Sequence, residues 1–333
     1  MSEVSQTGTA SAAPVRVALL GGGTVGAAVA RALLQHPDRY AARLGAPVEL
    51  LGVAVRDTTR VREGIPADLL TDDPHALAQD ADVIVELMGG LEPAGELIEA
   101  ALRRGAQVVS ANKQLLTRRG VELQALAQEH GAGLHHEAAV MAAVPVLAVV
   151  RESLAGDEIT RIRGIVNGST NYVLDLVARE GVPFADAVRQ AGELGYLEAD
   201  PTEDLEGLDA AAKIALLART AWDVPAPPDE VDVTGISGLT DADFAAAAEQ
   251  GGVLKLVASA ERGADGAVRC AVRPEVLPAE DPLARTRGGT NLVELDTVLA
   301  GPVTLVGAGA GGDETASAVL GDLVRAGLAV ARR

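Results

Sequence analysis

The sequence predicts a mixed α/β chain of two domains: a parallel sheet covered by helices, then an α+β unit. Three observations carry that expectation. Apolar strand-length runs alternate with helix-length stretches up to about residue 150. A glycine-rich turn, Gly21 to Gly26, follows the first run and opens the first helix. Beyond residue 150 the pattern changes to successive helices and then alternating strands. The 333 residues leave room for about two domains.

Residues 15–20 read as a buried strand, followed by a helix over 24–36. Further strands are expected at 48–55, 81–87 and 107–110. Helices at 93–104 and 115–130 separate them, the latter closed by Gly131. In the second unit a long strand is expected at 159–166, with helices at 170–178, 184–194 and 205–222. Pro225, Pro227 and Pro228 break the chain, and 253–260 and 268–272 alternate as an antiparallel pair does. A strand at 303–306 then runs through Gly307, Gly309, Gly311 and Gly312 into a helix over 315–326. That strand, turn and helix are expected to rejoin the first domain. The expected organisation is a tail over 1–14, a first domain of 15–148 with 303–333, and a second domain of 149–302. The tail is Ser/Thr/Ala-rich, with neither the basic start nor the apolar core of a signal peptide.

A net charge of −19 argues against nucleic-acid and anionic-membrane partners, and 2% aromatics are too few for base-stacking platforms. No apolar run approaches the ~20 residues of a membrane helix. The single cysteine, Cys270, excludes an intrachain disulfide and fits a reducing cytoplasm. It lies in an apolar stretch with no neighbouring His and reads as a small core residue. The basic residues are lopsided. Of 28, only three are Lys: Lys113, Lys213 and Lys255. Arg stays charged, whereas Lys can be tuned to release a proton, so each retained Lys invites a question about its site.

Gly21, Gly23 and Gly26 form G-x-G-x-x-G within Gly21-Gly22-Gly23-Thr24-Val25-Gly26. The first glycine permits the tight turn, the second lets backbone approach a pyrophosphate, and the third packs helix against strand. Strand before and helix after make this a Rossmann-type dinucleotide site. At the end of the second strand Arg56 precedes Asp57, with Arg60 and Arg62 nearby. Arg accepts a 2′-phosphate and Asp a ribose hydroxyl, so NADP(H) is favoured and NAD(H) stays open.

The second unit holds a carboxylate-rich turn, Gly195 to Asp204, running into Asp209 and Lys213. The last two are four apart and share a helical face. Spacing alone favours a surface salt bridge over a functional pair. Lys113 follows a strand at the sheet edge where doubly wound folds hold ligands, which favours chemistry over solvation. The residues themselves leave open another Rossmann dehydrogenase of a small aldehyde or amino acid, and a non-catalytic NAD(P)-sensing protein.

Taken together, GGGTVG at 21–26, ELMGGLEPA at 86–94, SANK at 110–113, EAAV at 137–140, GIVNGSTNYVL at 164–174, LGYLEADPTEDLEGLDAAAK at 194–213 and GAGAGGDETASAVLGDL at 307–323 resemble the homoserine dehydrogenase family. The resemblance covers residues 15–333. It implies NAD(P)-dependent interconversion of L-aspartate 4-semialdehyde and L-homoserine, on the route to threonine, methionine and isoleucine. It further implies that Glu198 and Asp209 bind the substrate with Asp204 close by, that Lys213 is the proton donor, and that Lys113 lies between substrate and cofactor as a second acid/base candidate. Ser110, Gly195 and Gly309 match cofactor contacts. Glu137 with the carbonyls of Val140, Ala142 and Val144 matches a monovalent-cation site, usually sodium. Many members carry Gly-Gly where this chain has Met141-Ala142-Ala143. The resemblance also implies a homodimer through the second domain. Because long members add a regulatory domain, no threonine inhibition through one is expected here.

Overall fold

The computed structural model describes residues 12–333, so most of the tail expected over 1–14 lies outside the described residues. The elements run β1 (Val15–Leu20), α1 (Thr24–Gln35), α2 (Pro37–Leu44), β2 (Val48–Ala54), β3 (Leu70–Thr71), α3 (Pro74–Gln79), β4 (Val83–Glu86), α4 (Ala94–Arg103), β5 (Gln107–Ser110), α5 (Lys113–Glu129), β6 (Leu134–His135) and α6 (Val146–Ala148). They continue with β7 (Ile159–Ile165), α7 (Gly168–Glu180), α8 (Phe184–Glu193), α9 (Thr202–Leu205), α10 (Leu208–Trp222), β8 (Asp232–Val233), α11 (Asp241–Glu249), β9 (Gly252–Arg262), β10 (Val268–Pro278), β11 (Thr290–Thr297), β12 (Pro302–Ala308) and α12 (Gly312–Ala331).

The first sheet has the order β3-β2-β1-β4-β5-β6, with every pairing parallel. β4 and β5 are buried at every position, as parallel strands are when helices cover both faces. Strand order reverses between β1 and β4, and ligands of open α/β sheets sit outside the carboxyl ends at such a point. Gly21 turns there at φ +113, and a Cβ on it would lie 2.6 Å from the Leu87 carbonyl oxygen. Glycine is the residue that tolerates both the angle and the approach.

The second sheet has the order β12-β11-β7-β9-β10-β8 and is antiparallel except for the short β8–β10 pairing. α7, α10 and α11 pack on it. One apolar cluster runs from Leu115 and Leu123 of α5 through Leu216 and Leu217 of α10 to Leu256 of β9. The two domains therefore share a core, and that shared core sets α5 beside α10.

Two expectations need correction. The strand expected to return to the first domain at 303–306 is β12, and it pairs antiparallel with β11. Only Val298 to Gly301 separate the two strands, which makes a hairpin; a parallel return requires a long crossover. The helix α12 alone goes back, packing on α1 and β5. The helix expected over 205–222 is two, α9 and α10, broken at Gly207, whose φ of 77 is left-handed.

Candidate active site

The nucleotide end of the site is built on the turn after β1. Gly23 is the N-cap of α1, and a Cβ there would meet nothing within 4 Å, so the turn is open on that side at the start of the helix. A Cβ on Gly26 would lie 2.0 Å from the Gly21 carbonyl oxygen, so helix and turn meet only if both stay bare. Arg62 braces the turn, its Nε donating to the Gly22 carbonyl at 3.1 Å. Thr24 and Val25 start the helix. A Cβ on Gly312 would lie 2.6 Å from Thr24 Cγ2, so the C-terminal glycine turn closes against this one.

Past β2, Arg56 is exposed and has no hydrogen-bond or ion-pair partner among the described residues. Asp57 is engaged locally, accepting from the Thr59 N–H at 2.9 Å and hydroxyl at 2.7 Å. Ser110 is wholly buried, and its hydroxyl donates to Glu86 at 2.7 Å. That hydroxyl links β4 to β5 and does not face an open surface. Glu86 also accepts from the N–H groups of Met88 at 2.8 Å and Gly89 at 3.0 Å, shaping the turn after β4. In the sequence Glu86 is no more than the end of a strand, with nothing local to mark this role. Gly309 lies against Asn291, where a Cβ would come 2.2 Å from the amide carbon. Asn291 donates to the Val166 carbonyl at 3.2 Å, and its Oδ1 is a buried acceptor without a partner among the described residues. Gly195 has φ 79 and open space around it.

The chemical end forms where α5 meets α10. Asn112 caps α5, accepting from the Leu115 N–H at 3.1 Å and donating to the Gly90 carbonyl at 2.6 Å. The cap makes Lys113 the first helical residue, two positions before the expected start. Asp209 and Lys213 lie one turn apart on α10, with Lys213 Nζ 2.8 Å from Asp209 Oδ2. Lys113 Nζ donates to the other oxygen, Oδ1. Lys213 donates as well to the Val166 carbonyl at 2.9 Å. Asn167 caps α7 through its Oδ1, and its Nδ2 reaches Asp204 at 2.6 Å and Asp209 at 2.8 Å. One amide thus spans two carboxylates. Asn167 was not among the sequence candidates; an Asn ahead of a helix reads as an ordinary cap.

Charge is balanced inside this cluster. Burial alone would raise the Asp209 pKa, but the charges and hydrogen bonds of Lys213 and Lys113 outweigh it and hold the carboxyl well below its usual range. Asp204 goes the other way: burial raises it, only partly offset by the Asn167 hydrogen bond, and the nearby Asp209 charge adds to the rise. Glu198 stands apart, exposed in the turn between α8 and α9 with no hydrogen-bond partner among the described residues. Its neighbour Tyr196 stacks on Tyr172 with ring centroids 4.2 Å apart, and the Tyr196 carbonyl accepts from Ser169 at 2.6 Å.

Of the expected cation ligands, Glu137 is buried and accepts from the N–H groups of Leu147 and Ala148, each at 2.8 Å. Val140, Ala142 and Val144 are buried as well, and the Val144 carbonyl accepts from the Val146 N–H at 2.8 Å. Met141 at φ 57 and Ala142 at φ 43 hold the left-handed turn without glycine. Burial pushes the Cys270 thiol up to about 11, which fits a core residue and not a nucleophile. No helix among the described residues is long and apolar enough to cross a membrane.

A carboxylate flanked by two ammonium groups, in a chain that also carries a dinucleotide turn, is equipped to move a proton while a hydride moves elsewhere. Comparison with known proteins places the chain in a family. Residues 21–137 match the family model for the homoserine dehydrogenase NAD-binding domain, and residues 145–324 match that for homoserine dehydrogenase. The homoserine dehydrogenase of Corynebacterium glutamicum is 43% identical over 318 residues, which are 94% of this chain and 72% of that protein. The crystal structure of a homoserine dehydrogenase from Thiobacillus denitrificans superposes with a TM-score of 0.91 at 37% identity, covering 96% of this chain and 74% of that one. A hyperthermophilic archaeal homoserine dehydrogenase in complex with NADPH gives a TM-score of 0.79 at 30% identity, covering 94% and 97%. The chain belongs to the homoserine dehydrogenase family, NAD(P)-dependent oxidoreductases that act on a CH–OH group.

Proposed function

We propose that the chain interconverts L-homoserine and L-aspartate 4-semialdehyde at the Lys113–Asp209–Lys213 cluster, with NADP(H) preferred over NAD(H). The observation that carries this reading is the shared carboxylate: lysines from two domains converge on Asp209. Bound along the glycine turn, the dinucleotide supplies the hydride acceptor or donor. The chain's own residues do the rest. Lys213 takes the hydroxyl proton in oxidation and returns it to the aldehyde oxygen in reduction. Lys113 lies at the same end, holding the developing oxyanion and standing as the alternative acid. Asp209 orients both lysines, and with Asp204 and Glu198 it offers negative charge to the substrate ammonium.

The free Arg56 beside an occupied Asp57 supports recognition of a 2′-phosphate. Ser110, Gly195 and Gly309 are assigned to the cofactor through the family resemblance. Glu137 and the carbonyls of Val140, Ala142 and Val144 are assigned to sodium, and the retained left-handed turn at Met141–Ala142 supports that reading. A homodimer through the second sheet is favoured by Val276, Val298, Leu299 and Val306, all exposed there. A cytoplasmic setting and a place in threonine and methionine synthesis follow from the family reading alone.

The test is direct. Homoserine with NADP⁺ or NAD⁺ is followed at the reduced-nicotinamide band, in sodium and in choline salts. Turnover with NADP⁺ at a kcat/KM above that with NAD⁺ supports the proposal. No reduced cofactor with either nucleotide overturns it.

A further inference from the structure

Lys255, on β9, is the lysine the chemistry above leaves unused. It is wholly buried, the largest side chain in that state, and forms no ion pair among the described residues. An unpaired buried ammonium is costly, and an apolar side chain would occupy the same place without that cost. What the lysine does instead is hold two acceptors. Its Nζ donates to Asn171 Oδ1 at 2.8 Å and to the Thr286 carbonyl at 2.7 Å.

Those two contacts lead towards the substrate end of the site. Asn171 donates from Nδ2 to the Gly288 carbonyl at 2.7 Å. One turn along α7, Asp175 accepts from the Gly288 N–H at 3.0 Å and from Arg287 at 2.8 Å. The turn 286–289 is therefore clamped to α7. Its last residue meets the site at two places. A Cβ on Gly168 would lie 2.5 Å from the Gly289 carbonyl oxygen, and a Cβ on Gly289 would lie 2.8 Å from Tyr196 Cε1. Gly168 adjoins Asn167, the amide between the two carboxylates. Tyr196 stands two residues before Glu198.

We propose that Lys255 is a positioning residue for substrate binding: through Asn171 and the turn 286–289 it sets the place of Tyr196 and of the segment carrying Glu198. This inference rests on the reading of that segment as part of the substrate site.

Steady-state kinetics of the full chain, with homoserine and NADP⁺ varied separately, test it. Gly289→Ala pushes on the Tyr196 ring without touching Lys255, and Gly289 has no left-handed φ to resist the change. Lys255→Met removes the donor, and Lys255→Gln keeps a shorter one. Gly289→Ala and Lys255→Met are each expected to raise the homoserine KM about five- to tenfold. The NADP⁺ KM is expected to stay within about twofold, with Lys255→Gln in between on homoserine. A role confined to stability lowers the active fraction and so the apparent kcat, with both KM values unchanged; that result overturns the proposal. If Lys255→Met does not fold, Lys255→Gln decides: a homoserine KM unchanged in that variant while Gly289→Ala raises it overturns the proposal. Glu198→Gln is measured beside them. Should it be silent while the other variants raise the homoserine KM, the positioning role stands and Glu198 loses its assignment. Should Glu198→Gln alone raise that KM, the positioning role is wrong.

Discussion

Replacing Asp209 by Asn keeps the shape of the group between Lys113 and Lys213 and removes its charge. Lys213 lies 2.8 Å from one carboxylate oxygen and Lys113 bonds the other. With the cluster's side chains only 13–24% exposed, an effective dielectric near 20 is the appropriate choice. The repulsion between the two ammonium groups is present before and after the change; what each loses is its attraction to the carboxylate, about 6 kcal/mol at 2.8 Å and that dielectric before solvent screening, enough to move a limb by about two pH units or more. The sign follows from the roles. Oxidation needs a lysine free to accept a proton, and without the carboxylate's attraction that proton is easier to lose, so the rising limb of the oxidation profile moves to lower pH. Reduction needs the protonated form, so its falling limb moves the same way. Turnover is expected to drop as well, by about 100-fold, because the lysines lose their common anchor. The assay is the pH dependence of kcat/KM in both directions, read at the reduced-nicotinamide band. Limbs that stay within about half a pH unit of the parent refute the reasoning, because they mean that the carboxylate does not set the charge state of the catalytic group.

Lys213→Arg and Lys113→Arg keep the charge but lose the tunable proton, and each is expected to lower kcat about 100-fold or more; near-normal turnover in both removes the acid/base assignment. Arg56→Ala is expected to raise the NADP⁺ KM about tenfold and leave that for NAD⁺ unchanged, an equal response to both showing that Arg56 does not touch the 2′-phosphate. Gly26→Ala places a Cβ 2.0 Å from the Gly21 carbonyl, and NADPH fluorescence titration should show binding lost. Burial lowers the Lys255 pKa from 10.5 to about 8, so the folded chain sheds this proton before the unfolded chain does. The penalty is full below about pH 8, and stability gains about 3 kcal/mol from this group as pH rises towards 10.5. Urea melts of the parent and of Lys255→Met should diverge across that window, and a constant difference between them contradicts the buried-ammonium account.

How much of this was legible in the sequence depended on how local each feature is. The turn Gly21 to Gly26 could be read because its geometry forbids side chains at fixed positions, and a chain records such bans as glycines. The same logic misled at the other end. Gly307 to Gly312 also reads as strand, turn and helix, but β12 was already committed to a hairpin with β11, and only α12 returned to the first sheet. Asp209 and Lys213 could be paired by helical spacing, whereas Lys113 and Asp209 lie 96 residues apart and meet only because α5 and α10 share a core. Asn167 and Glu86 escaped notice because a cap and a strand end account for them locally; their further partners come from distant segments.

The scarcity of lysine takes on a physical meaning at all three positions. In a chain that uses Arg for nearly every positive charge, a lysine survives where the planar guanidinium would not serve. Lys255 fills a closed space with two acceptors, and a guanidinium there would bring five donors for those two. Lys213 stands between one carboxylate oxygen and one carbonyl, and Lys113 shares that carboxylate, so a compact ammonium reaches each without a second parallel bond. The requirement common to the three is a small cation with few donors in a confined place. Proton transfer adds a second requirement at only two of them. Arg should therefore be tolerated least at Lys255 for folding and least at Lys213 for turnover, and the two losses should separate cleanly between a stability measurement and a rate.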